Sequence, residues 1–94
     1  MYLSDIIRPV LSQYLTEKFA GKTIILEKDN IAYIRSSSGK EEQPYFETYN
    51  IICKSVRFAD DDGDCWLNFI DDQDITFSVS GQGIDIWFEV EGEK

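Results

Sequence analysis

From Tyr45 to Val90 the chain reads as strand after strand, separated by nothing longer than a turn. YFETYNIICKSVRF, CWLNFI, ITFSVS and IDIWFEV are dense in aromatic and β-branched residues, the side chains that suit a pleated, half-buried surface. Asp62-Gly63 and Gly81-Gln82-Gly83 mark tight turns between them. Parallel neighbours need a crossover of a dozen or more residues, and none is present. The sheet must therefore be antiparallel. Upstream, TIILEK and IAYIRS flank Asp29-Asn30 and are expected to form a hairpin. Ser36 to Pro44, nine residues dominated by polar side chains, reads as a loop. The segment near Tyr45–Phe58 is long enough for one strand or for two with a bulge, and Lys54 interrupts its apolar pattern.

Only the N-terminal segment has a different period. Leu3, Ile7, Val10, Tyr14 and Leu15 recur at spacings of three and four, with Ile6, Leu11 and Phe19 widening the stripe. Ser4 or Asp5 is expected to cap this helix, and Gly21 to end it in a left-handed conformation. Pro9 lies too far in for a first-position proline, so a kink or a later start is expected. The fold class expected is α+β, with one N-terminal helix packed on an antiparallel meander sheet of about six strands. Its 94 residues make a single domain, 1–94.

The last strands allow a register. Pairing Val79 with Ile84 across Gly81 sets Phe77 opposite Ile86 and Ile75 opposite Phe88, all apolar and on one face. Cys65, Leu67, Phe69, Val56 and Phe58 fall on that face too, which is then the core that the helix covers. The opposite face holds Trp66, Asn68, Thr76, Ser78, Asp85, Trp87, Glu89 and Glu91. Polar residues are ordinary on a wet sheet face. Two tryptophans there need either a covering loop or a role as anchors for a partner.

Charge is the other strong feature. The formal net charge is −9, and residues 58–94 hold eleven acids against the single basic residue Lys94. Seven aspartates crowd Phe58–Asp74: Asp60, Asp61, Asp62, Asp64, Asp71, Asp72 and Asp74. DDDGD suggests a calcium loop, but with Gly63 at the sixth position the first and twelfth fall on Phe58 and Phe69, which cannot ligate a metal. No metal and no cofactor are expected. Paired carboxylates work as acid and base only in a cleft that shifts one of their pKa values, and these sit on turns. The absence of histidine removes the Ser-His and Cys-His nucleophile pairs. The chain is expected to be no enzyme. Its two cysteines, Cys53 and Cys65, make no disulfide framework.

Binding remains. A dense negative surface matches a groove lined with Lys and Arg and repels phosphates. The partner expected is a basic protein, a nuclease or toxin, with no direct nucleic acid and no membrane. Asp60, Asp61, Asp62, Asp64, Asp71, Asp72, Asp74 and Asp85 are the candidate partner-binding acids, and Trp66 and Trp87 the candidate anchors. The expected function is a small acidic inhibitor of a nucleic-acid-acting protein, as a toxin immunity protein is. The alternatives are a phage-encoded blocker of a defence nuclease, of the anti-CRISPR kind, and an oligomer subunit whose acidic face is merely solvated. The N-terminus lacks the basic n-region and cleavage site of a signal peptide, and no apolar run approaches eighteen residues. A cytoplasmic location is expected.

Overall fold

A computed structural model describes residues 1–61 and 63–92. One helix, α1 (Leu3–Phe19), precedes a seven-stranded antiparallel sheet of strands β1 (Thr23–Glu27), β2 (Ile31–Arg35), β3 (Glu41–Glu42), β4 (Thr48–Asp61), β5 (Asp64–Asp71), β6 (Thr76–Ser80) and β7 (Glu89–Val90). The order across the sheet is β3-β2-β6-β5-β4-β1-β7. The α+β class is as expected; the two-residue strand β3, inside the Ser36–Pro44 stretch expected to be loop throughout, raises the count to seven.

Two expected pairings are overturned. β1 and β2 do not form a hairpin. A single 3₁₀ turn, Lys28–Asn30, separates them, yet β1 pairs with β4 and β7 while β2 pairs with β6 and β3. The geometry explains the rest of the fold. Four spacings of ~4.8 Å would place β1 and β2 ~19 Å apart in a flat sheet, whereas a three-residue connection spans at most ~14 Å. The sheet must fold over on itself, and β4 is where it turns. Thr48–Ile52 pair with β1, and Cys53–Asp61 pair with β5. The register slips between Cys53 and Ser55, at Lys54. This is the bulge anticipated in the long strand, and it bends the sheet round the core as corner strands do.

The second correction concerns the C-terminal segment. Residues 84–88 do not pair with β6, because β2 and β5 occupy both of its edges. The chain turns tightly after β6 through an isolated Gln82–Asp85 bridge and reaches β1 only at Glu89–Val90. A β-carbon on Gly81 would collide with the Asp85 carbonyl oxygen, so only glycine permits this turn. Ile86 and Phe88 still point inward. Phe88 packs edge-on against Phe19 at 5.4 Å between ring centroids and against Phe69 at 5.1 Å, closing the core between helix and sheet.

The inward face of the β4-β5-β6 meander is the one expected. Val56, Cys65, Leu67, Phe69, Phe77 and Val79 are buried, with Phe58 packed against them. Ile24, Leu26, Ile31 and Ile51 complete the core from the other arm of the folded sheet.

Helix α1 runs unbroken through Pro9 from Leu3, earlier than the proline suggested. Neither Ser4 nor Asp5 is its N-cap; Tyr2 is, and the Asp5 carboxylate reaches back to accept the Tyr2 N–H at 3.1 Å. Gly21 ends it with φ 82°. The helix lies along β4 through polar side chains. The Thr16 hydroxyl donates to the Val56 carbonyl at 3.0 Å and accepts the Val56 N–H at 2.9 Å. The Ser12 hydroxyl accepts the Phe58 N–H at 2.9 Å. Arg8 Nε–H donates to the Asp60 carboxylate at 2.6 Å.

Candidate protein-binding surface

Strand β5 is the ruler for the acidic stretch. Its alternation turns Cys65, Leu67, Phe69 and Asp71 inward and Asp64, Trp66, Asn68 and Ile70 outward. Eight residues separate its ends by ~24 Å. The two aspartate turns therefore lie at opposite ends of β5. They are contiguous in sequence and separate in space.

At the second turn the aspartates have local work. Asp71 is only 8% exposed, and its Oδ1 accepts the N–H groups of Gln73 at 3.0 Å and Ile75 at 2.8 Å. Asp74 takes a left-handed φ of 62° and accepts from the Lys54 ammonium at 2.6 Å. That contact holds the Lys54 pKa above its ordinary value. Asp72 is exposed and in no ion pair among the described residues.

At the first turn Asp60 is engaged by Arg8, whose guanidinium pKa is raised chiefly by this hydrogen bond and further by the Asp60 charge. Asp61 and Asp64 sit directly opposite one another across the hairpin. Both are exposed and in no ion pair among the described residues, an arrangement that opposes folding. Asp62 lies outside the described residues.

The tight turn after β6 brings the Asp85 backbone to this end. Asp64, Trp66, Ser80 and Gly81 line one hollow, and the Gly81 backbone abuts Asp85. Asp85 shares the next hollow with Ile84, Ile86 and Trp87. Trp87 is 60% exposed. The two tryptophans are not on one sheet face, as the expected register had it. Trp66 is half-buried on the outer face of β5, and Trp87 projects from the segment that leaves β6. Asp61, Asp64, Asp85, Trp66 and Trp87 are thus gathered at one end, from segments up to 26 positions apart in the sequence.

Two features escaped the sequence reading. A groove of about 350 Å³ crosses the outer sheet face between Tyr33 and Trp66, with Ala32, Ala59, Asn68 and Ser78 along it, and Asn68 Oδ1 is buried there with no hydrogen-bond partner among the described residues. Its small residues were unremarkable until the β2–β6 pairing set Tyr33 beside Ser78. The second feature is the outer side of α1, where Leu3, Ile6, Val10 and Tyr14 are exposed. The signal for it was the width of the helical stripe, broader than one sheet face needs.

Among the described residues no group of three or more His, Cys, Asp or Glu is placed to hold a metal ion, and no helix is long and apolar enough to cross a membrane. Comparison of the chain with protein-family models, with curated proteins and with solved structures found no match.

Proposed function

We propose that this protein acts by binding, docking its acidic end on the basic surface of a nucleic-acid-acting protein and thereby inhibiting it, as a toxin immunity protein or a phage-encoded nuclease blocker does. The observation that carries this reading is that Asp61 and Asp64, beside Trp66, and Asp85, beside Trp87, lie at one end of the sheet, all exposed and in no ion pair among the described residues. Exposed carboxylates outside a close ion pair, although Asp61 also feels the Arg8 charge, remain available to a partner's Lys and Arg. An exposed tryptophan beside them supplies the apolar contact that slows dissociation. Asp60, held by Arg8, belongs to the scaffold of this end, whereas Asp71 and Asp74 are engaged within the fold at the other turn. Asp72 lies at the far end of β5.

The test is capture from lysate at ~50 mM and ~500 mM salt, which brackets strong and weak screening, with bound proteins identified by mass spectrometry. A single basic nuclease or toxin, retained at low salt and lost at high salt, is the expected result. With that partner, Asp61→Asn, Asp64→Asn and Asp85→Asn together slow association by about tenfold or more, and Trp87→Ala speeds dissociation. An association rate and salt dependence unchanged by the triple replacement would remove this surface from the interface.

A further inference from the structure

Helix α1 is the reverse of an ordinary surface helix. Its sheet side carries Arg8, Ser12 and Thr16 in hydrogen bonds, together with Leu15 and Phe19. Its solvent side carries Leu3, Ile6, Val10 and Tyr14, which are 69%, 51%, 61% and 56% exposed. At 100° per residue these four fall within an arc of about 80°, directly opposite the sheet-facing residues. The spacing of three, four and four keeps them in one row about 16 Å long. Large apolar residues scattered singly on a surface need no explanation, whereas a continuous row marks an interaction site.

Charge selects the occupant. The protein carries −9 overall, but α1 holds Asp5, Arg8, Glu17 and Lys18, which sum to zero. A basic partner is drawn to the acidic end instead. The neutral helix face is the surface on which two copies of a strongly acidic chain meet with least repulsion. The row is also self-complementary. A two-fold axis at Val10 sets Val10 against Val10, Ile6 against Tyr14 and Leu3 against Glu17. Glu17 is exposed and on the line of the row. In that arrangement each Glu17 carboxylate meets the positive N-terminal end of the other helix, and the two helix dipoles run antiparallel. A parallel arrangement brings the two Glu17 carboxylates together.

We infer that this protein forms a two-fold homodimer through the outer face of α1, with the helices antiparallel and crossing at Val10. The contact is a single helix pair, at the small end of specific interfaces, so the dimer is weak and concentration-dependent. Its salt dependence is opposite to that of the acidic end. Salt screens the repulsion between two chains of −9 and leaves the apolar contact in place, so dimerisation strengthens as salt rises.

Sedimentation velocity of the full chain from ~1 µM to ~1 mM, at low and high salt, reads this directly. The expected result is a shift toward twice the 10.9 kDa chain mass, larger at high salt and lost in Val10→Glu, whose thermal melt is unchanged because Val10 faces away from the core. Register is read by oxidation of single-cysteine replacements. Val10→Cys cross-links to a dimer, whereas Ile6→Cys and Tyr14→Cys link only when the two are mixed. The native thiols of Cys53 and Cys65 are buried and serve as the unlinked background. A monomer at every concentration, a dimer that survives Val10→Glu, or equal self-linking at all three positions would each overturn the inference, and none of them bears on the acidic end.

Discussion

Asp71 and Asp72 are identical in charge and adjacent in sequence, and the fold uses them in opposite ways. Asp71 is buried with two backbone N–H groups on one oxygen, while Asp72 stands in solvent. Asp71→Ala strands both donors in a part-buried turn and is expected to cost about 1–3 kcal/mol. Asp72→Asn changes stability by less than about 0.5 kcal/mol. Urea unfolding midpoints of the two variants check the contrast. No property of the DDQD run marks which aspartate turns inward. That follows from the parity of β5 and the left-handed Asp74 after it, so the candidate site was legible as a composition and illegible as a selection. Cys53 gives a second residue-level test. Burial alone pushes its thiol pKa up, so as pH rises the unfolded chain ionises this thiol first and gains stability relative to the fold. Unfolding free energy should therefore begin to fall as the pH passes the ordinary thiol range, about pH 8–9. The raised Lys54 pKa adds a loss of the same sign at higher pH, where the ammonium paired with Asp74 finally deprotonates. In Cys53→Ala the earlier part of the slope disappears, as denaturant titrations across that range would show; an unchanged slope would assign the alkaline loss elsewhere.

Elements were read correctly where their contacts are local and incorrectly where they are distant. The β4-β5-β6 meander, its inward face and the bulge near Lys54 follow from alternation and turn residues within thirty-odd positions. Strands β1 and β2 carry the same local signals as a hairpin, including the Asp29-Asn30 dipeptide. What separates them is competition for partners: β4 takes β1, β6 takes β2, and the sheet folds between. Residues 84–88 alternate like a strand because Ile86 and Phe88 fill the core, but alternation records burial on one side and says nothing about which edge is free. The helix shows the same limit. Its apolar period was plain, yet polar Ser12 and Thr16 face the sheet because β4 offers unpaired backbone groups along that line. This makes Thr16 a structural residue. Thr16→Val keeps the shape and leaves the Val56 N–H and carbonyl without the Thr16 hydroxyl, so a loss of about 1–3 kcal/mol is expected. Thr16→Ser retains the hydroxyl and should recover most of it. Thermal melts of the pair separate this hydrogen-bonded dock from simple apolar packing, under which valine would be the better residue.

For the whole molecule, the distribution of charge opposes the fold. Residues 58–94 carry eleven of the eighteen acids, and Asp61 faces Asp64 across a hairpin with neither in an ion pair among the described residues. Like charges opposite one another on a sheet destabilise it, and so does a large net charge. A domain of this size has only about 5–15 kcal/mol of stability, so such repulsion is a sizeable fraction of the total. Two outcomes are expected together. Salt raises the melting temperature of the native chain by screening the repulsion. The triple replacement of Asp61, Asp64 and Asp85 by asparagine raises it at low salt and makes it less sensitive to salt. The same replacement is the one expected to slow capture of a basic partner. A surface that weakens folding and strengthens binding has its charges placed for the partner, whereas a surface that serves only to keep the chain in solution has no need to set Asp61 against Asp64. Thermal melts of the native and triple-asparagine chains at ~20 mM and ~500 mM salt, which span weak to strong screening, decide between these. Equal salt sensitivity in both would mean that the acidic end carries no concentrated repulsion, and the charge asymmetry would then be ordinary solvation spread over the whole surface.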